Sequence, residues 1–157
     1  MGILCCIPTN YVLIAVVVGL IIYVLNYFRP GRCDSKARLD GKTAIVTGSN
    51  TGIGKETVKD FVTRGATVIL ACRTVSKGEE AKKNILADTG ASSEKIHVRQ
   101  LDLGSLKSVK KFTEDFIAEF PKLHLLVNNA GVMMCPFSLT EDGFEQQFGV
   151  NHLGHIA

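Results

Sequence analysis

No tyrosine stands beyond position 27. The three in the chain, Tyr11, Tyr23 and Tyr27, all fall in one apolar run near the N-terminus. The rest of the chain therefore offers no phenol as a general acid or base. A surplus of one charge is missing too: 18 Lys and Arg against 15 Asp and Glu give a net +3, too little to argue for a nucleic-acid partner. The five cysteines (Cys5, Cys6, Cys33, Cys72, Cys135) form no C-x-x-C and no Cys/His spacing, so no metal is expected. Their scatter and odd number argue against a disulfide framework and for a reducing compartment. There is no internal repeat and no low-complexity tract. No charged side chain precedes Arg29, which removes the basic region that a secretory leader needs.

What is present begins with Tyr11 to Phe28, a run whose only amide is Asn26. Eighteen residues at about 1.5 Å each give roughly 27 Å, close to a bilayer core. Tyr11, Tyr23, Tyr27 and Phe28 sit towards its ends, where aromatic belts belong. A cleaved leader is the main rival, but the exit Asn-Tyr-Phe-Arg-Pro offers no small-residue cleavage site. A buried core helix is a weaker one, because a separate domain starts at once. Arg29, Arg32, Lys36, Arg38 and Lys42 follow the run and nothing basic precedes it, which places the body in the cytosol. Met1-Gly2 suggests myristoylation, but Cys6 stands where that motif wants Ser or Thr. Cys5 and Cys6 are palmitoylation candidates that need no such role. The organisation expected is a tail over 1–10, a transmembrane anchor over 11–28, a basic linker over 29–40 and a folded domain over 41–157.

That domain is organised around Lys42 to Gly54. The β-branched run Ala44-Ile-Val-Thr47 meets Gly48, Gly52 and Gly54, and a helical pattern follows. Strand, glycine turn and helix in that order make a phosphate pocket at a helix N-terminus. The spacing is G-x-x-x-G-x-G rather than G-x-G-x-x-G, so the reading depends on context. The context is alternation. Ile53, Val58, Phe61 and Val62 share a helical face, with Gly65 as its stop. Thr67–Ala71 is a continuous apolar run, as for a strand buried on both faces. Ser76-Lys-Gly-Glu79 spells a capping box that opens a second helix, and Gly90 closes it. Ile96–Leu103 reads as a third strand. Ser105 caps a third helix with an apolar face of Leu106, Val109, Phe112, Phe116, Ile117 and Phe120, stopped by Pro121. His124–Asn128 reads as a fourth strand, and a fourth helix is expected from Thr140 to Ala157. Strands alternating with helices predict an α/β domain: a Rossmann-type parallel sheet with helices on both faces, about four strands long here, preceded by one transmembrane helix.

In such a site an acidic residue about twenty positions past the turn binds the ribose 2′-hydroxyl and selects NAD. Here the second strand ends Ala71-Cys72-Arg73-Thr74, without a carboxylate. A guanidinium at Arg73 suits a 2′-phosphate, so NADP(H) is the cofactor expected. The competing reading is a solvated charge at a strand end.

Thr47-Gly48-x-x-x-Gly52-Ile53-Gly54, Leu101-Asp102-Leu103, Asn128-Asn129-Ala130-Gly131 and Val150-Asn151 resemble the short-chain dehydrogenases/reductases. The match runs from about Gly41 to the C-terminus. Ala71-Cys72-Arg73, Gly131-Val-Met-Met-Cys-Pro136, Glu141-Asp-Gly-Phe-Glu145 and Gly149-Val-Asn-His-Leu-Gly-His155 look closer to the membrane-anchored, NADP-dependent retinol dehydrogenases. Ser49, where that group more often has Ala, is a small departure. The resemblance implies that Gly48, Ser49, Asn50, Thr51, Gly52, Ile53 and Gly54 hold the pyrophosphate and Arg73 the 2′-phosphate. Asp102 and Leu103 border the adenine, and Asn129, Ala130 and Gly131 line the ribose side. Asn151 takes the supporting catalytic place of the asparagine that positions a water. It further implies hydride transfer with a lipophilic alcohol or aldehyde such as retinol/retinal, at the endoplasmic reticulum membrane with the domain facing the cytosol. Membrane lipid is a partner, and a homo-oligomer is left open. The family's catalytic Ser and Tyr-x-x-x-Lys have no counterpart in this sequence. The alternative is an inactive membrane-anchored isoform or fragment that at most binds NADP or a partner chain. His152 and His155 read as ordinary polar positions, and Leu125, Leu126 and Val127 as an open apolar edge.

Overall fold

The computed structural model describes residues 9–29, 31 and 35–157. Cys5, Cys6, Cys33, the Met1-Gly2 start, Pro30 and Arg32 lie outside the described residues. The chain divides into two units, Met1–Lys36 and Ala37–Ala157.

The first unit carries helix α1 (Thr9–Tyr27). It starts two residues before the expected span and ends one before it. Its window Asn10–Tyr27 has a mean hydropathy of 2.0 and none of it is buried, so it is long and apolar enough to cross a membrane. At its end Tyr23 stacks on Tyr27 at 6.3 Å, and Tyr27 meets Phe28 edge-on at 5.3 Å.

The second unit is built on four parallel strands, β1 (Thr43–Thr47), β2 (Thr67–Cys72), β3 (Ile96–Gln100) and β4 (Leu125–Val127), in the order β3-β2-β1-β4. Helices α2 (Gly52–Thr63), α3 (Val75–Thr89) and α4 (Leu106–Glu119) alternate with them. Parallel neighbours need crossovers of this kind. In β1 and β2 both faces are buried, and their alternate side chains feed two cores. Ala44, Val46, Val68 and Leu70 join Val58, Val62 and Ile85 of α2 and α3. Ile45, Ile69 and Ala71 face Val109 of α4 together with Leu101, Leu103 and Val150. Full burial of each large aliphatic side chain contributes about 1.5–3 kcal/mol, so the central pair anchors the sheet. β4 lies at an edge, and its Leu126 is 54% exposed.

Several local expectations give way to packing. Ile53 is 82% exposed rather than on the buried face of α2, which consists of Gly54, Val58 and Val62. The first turn of α2 overhangs the end of the sheet, and the core lies under the later turns. The capping box at Ser76 does not form. Helix α3 starts at Val75, behind Thr74, with no side-chain cap. Its placement is set instead by Gly78, where a Cβ would come within 2.6 Å of Val98 Cγ1 and 2.7 Å of Cys72 Sγ. Strand β3 stops at Gln100, and Ile117 is 69% exposed at the margin of α4.

The largest correction is at the C-terminal end. Thr140 to Glu145 is a tight turn, not helix. Thr140 N–H donates to Phe144 O at 2.8 Å, and Gly143 has φ of +81°. Helical structure begins with α5 (Gln146–Phe148), continues through a π-helical turn (Gly149–Leu153) and ends in α6 (Gly154–Ile156). Glu145 starts it: its carboxylate accepts N–H bonds from Gln147 at 2.9 Å and Phe148 at 2.8 Å. These bonds hold the Glu145 carboxyl below its ordinary range. A depressed carboxylate contributes stability that is complete above its unfolded value. That contribution fades as pH falls through the lower folded one. Protection of the Gln147 and Phe148 amides, measured as exchange relative to the intrinsic rate at each pH, is therefore expected to fall on acidification through this range. In Glu145→Ala it is already low at neutral pH.

Candidate dinucleotide site

Thr47, the last residue of β1, is buried to 3% exposure and is the hub of the site. Its Oγ1 accepts the N–H groups of Asn129 and Ala130, each at 2.9 Å. With its acceptor side taken, its own proton is directed to His155 Nε2 at 3.0 Å, a shorter contact than Val127 O at 3.4 Å. With Nε2 accepting, the ring's single N–H proton sits on Nδ1, which lies 3.3 Å from Asn151 O. One hydroxyl thus ties β1, the segment after β4 and the C-terminal helical turns together. Thr47→Val leaves the Ala130 N–H without an acceptor, at about 1–3 kcal/mol, whereas the Asn129 N–H keeps Val127 O at 3.0 Å. A loss of about 1–3 kcal/mol of stability is expected in urea titration.

The glycine turn hangs from this hub. Gly48 adopts φ of +63°, and its N–H extends the β1–β2 ladder to Ala71 O at 2.8 Å. Ser49 is fully buried and its hydroxyl donates to Val46 O at 2.7 Å, closing the turn on itself. Gly54 packs where a Cβ would sit 2.5 Å from Asn129 Nδ2 and 2.9 Å from Gly48 O. Asn129 Nδ2 in turn donates to Thr47 O at 2.9 Å. Thr51 precedes α2 without a side-chain cap. The first N–H groups of a helix have no intrahelical partner, and the dipole makes that end positive. Here they open on a cleft of about 530 Å³.

That cleft collects most of the residues expected from the sequence. Gly48, Asn50, Thr51, Gly52, Ile53, Arg73, Asp102, Leu103, Asn129, Ala130 and Gly131 all line it. Arg73 is exposed on its wall just past β2 and makes no ion pair among the described residues. Asp102 Oδ1 accepts Gly104 N–H at 2.9 Å, fixing the turn after β3. Three expected residues support the wall instead of lining it: Ser49, Gly54 and Asn151. The Asn151 amide is taken up by Val132, accepting from its N–H and donating to its carbonyl, both at 2.8 Å. Asn128 is exposed, outside this network.

Sequence reasoning passed over Thr47 as a site residue, along with Val132 and Val150, which line the cleft. A threonine ending a buried apolar strand was the available signal. His155 is also more than a polar position, given its contacts to Thr47 and Asn151. His152 stacks on Phe148 at 5.3 Å.

Residues 42–157 match the family model described as short chain dehydrogenase. The chain belongs to the short-chain dehydrogenase family. Over 126 residues it is 62% identical to retinol dehydrogenase 11 of Mus musculus, covering 80% of this chain and 39% of that protein. Retinol dehydrogenase 12 of Mus musculus is 53% identical over 133 residues, covering 85% of this chain and 42% of that one. Among solved structures, a metagenomic short-chain oxidoreductase in complex with NADP is 32% identical, with a TM-score of 0.54, over 60% of this chain and 41% of that one. The chain thus spans about two fifths of the curated relatives it matches. Family membership and such cofactor-bound neighbours support a nicotinamide cofactor.

Proposed function

We propose that this chain is the cofactor-binding part of an NADP(H)-dependent oxidoreductase of the retinol dehydrogenase type. Its substrate would be a lipophilic alcohol or aldehyde, and its anchor would hold the domain at the cytosolic face of the endoplasmic reticulum. The observation that carries the cofactor reading is Arg73 on the wall of the glycine-turn cleft, where an NAD site would carry a carboxylate. Identity to two retinol dehydrogenases supports the substrate class. The apolar helix followed by basic residues supports the anchor and its orientation.

The residues fit the group. Gly52 has φ of +56° and no atom within 4 Å of a Cβ built on it, so the backbone of the turn is open to a pyrophosphate. The α2 N-terminus would receive that anion, and Arg73 the 2′-phosphate. The cofactor supplies the hydride when bound. The Thr47–Asn129 bonds hold the turn in its binding shape, and the Asn151 clamp fixes Val132 at the far end of the cleft. Residues 37–157 contain no tyrosine, so they offer no phenol to deliver the proton to the developing alkoxide.

Titration of the chain with NADPH and NADH, read by nucleotide fluorescence, tests the reading. NADPH is expected to bind more tightly. Equal affinity or a preference for NADH removes Arg73 from its role.

A further inference from the structure

The segment leaving the cleft presents apolar side chains to solvent. Gly131 to Thr140 is ten residues without a charge, and no Lys or Arg occurs after Lys122. Met133, Met134 and Phe137 are 81%, 86% and 82% exposed. The segment is nonetheless held. Val132 is clamped by Asn151, Met134 N–H donates to Gln147 Oε1 at 3.2 Å, and Ser138 O accepts Gln146 N–H at 2.9 Å. Met134 keeps φ of +55°, a conformation uncommon for residues other than glycine. The exposure therefore belongs to a fixed shape. The adjoining carboxylates are engaged within the fold: Glu141 with the Ser105 hydroxyl at 2.6 Å, and Asp142 with Leu106 N–H at 2.8 Å.

We propose that the Val132–Leu139 loop inserts into the interfacial region of a lipid bilayer through Met133, Met134 and Phe137. The proposal rests on the reading of α1 as a membrane anchor. On that reading the folded unit is covalently tethered to a bilayer through the short stretch between Tyr27 and Ala37. A methionine and phenylalanine tip within an uncharged run of ten residues suits insertion by apolar burial rather than attraction to anionic headgroups. Because Gly131 and Val132 line the cleft, an inserted loop sets that end of the site against the lipid. An apolar alcohol or aldehyde would then arrive without crossing water.

The chain has no tryptophan, so Phe137→Trp introduces a single fluorophore. The full chain is reconstituted in phosphatidylcholine vesicles containing lipids brominated along the acyl chain. Bromine quenching and shielding from aqueous iodide are expected for F137W, unchanged by salt or by added phosphatidylserine. Ile117→Trp, on exposed α4, is expected to be open to iodide and unquenched by bromine. Met133→Trp repeats the test at a second position. Iodide access in F137W equal to that in I117W overturns the proposal. So does shielding without bromine quenching, which means a protein cover, or shielding that follows protein density, which means a second copy. Carbonate-resistant flotation with the vesicles reads the anchor, and NADPH titration of the same samples reads the cofactor site. A floating, NADPH-binding chain with an unquenched F137W overturns the loop alone. A chain that does not float overturns anchor and loop together.

Discussion

Arg73→Glu is expected to weaken NADPH binding by about 100-fold or more while leaving NADH nearly untouched. A charge-assisted bond from a guanidinium to a phosphate is worth about 1.5–3 kcal/mol, and each 1.4 kcal/mol is tenfold in affinity. Removal alone, as in Arg73→Ala, therefore costs about 10–100-fold. Glutamate adds repulsion of the 2′-phosphate and supplies the acceptor that a ribose hydroxyl uses, so the preference between the two nucleotides reverses. Arg73 is exposed, so the effect shrinks as salt rises. Isothermal titration with both nucleotides, at low and physiological salt, measures all of this. An equal loss for both nucleotides would mean that Arg73 serves the fold of the cleft rather than the phosphate.

Gly48→Ala and Gly52→Ala separate two uses of glycine in one turn. At Gly48 the backbone sits at φ of +63°, and a Cβ would lie 2.7 Å from Ala130 Cα. The obstacle is backbone, pinned by the Thr47 hydroxyl, and cannot rotate away. The left-handed conformation costs about 1–2 kcal/mol and the overlap about 1–3 kcal/mol. Gly48→Ala is expected to lose about 2–5 kcal/mol, a large part of the 5–15 kcal/mol typical of a domain, and with it all nucleotide binding. At Gly52 φ is +56°, but a Cβ would meet nothing within 4 Å. Gly52→Ala pays only the conformational strain and places a methyl group where the pyrophosphate must approach. The chain is expected to stay folded in urea titration while NADPH affinity drops at least tenfold. If both variants melt alike, the turn is a structural element rather than a phosphate cradle.

What the sequence made legible follows from how local each signal is. The apolar run of β2 needs no partner to be recognised, and the glycine spacing with Arg73 nineteen positions on located most of the cleft wall. Ile53 and Ser76 misled because their patterns are local, whereas the placement of α2 and α3 is settled by Gly54 against Asn129 and Gly78 against Val98. Thr140 misled because helix-compatible residues surround Gly143, whose φ of +81° breaks the helix. The Thr47 hub stayed hidden for a further reason. Its partners are 82 to 108 residues away in sequence and are neighbours only once β4 pairs with β1. No periodicity within a segment encodes that pairing.

The same separation has a consequence in time. A ribosome adds about 5–20 residues per second. The hydroxyl of Thr47 therefore waits about 4–16 s for the amide of Asn129, 82 residues later, to be synthesised. In that interval Gly48 has no Ala130 beneath it. The turn meant to grip a phosphate is among the first parts of the domain to be made and among the last to be set.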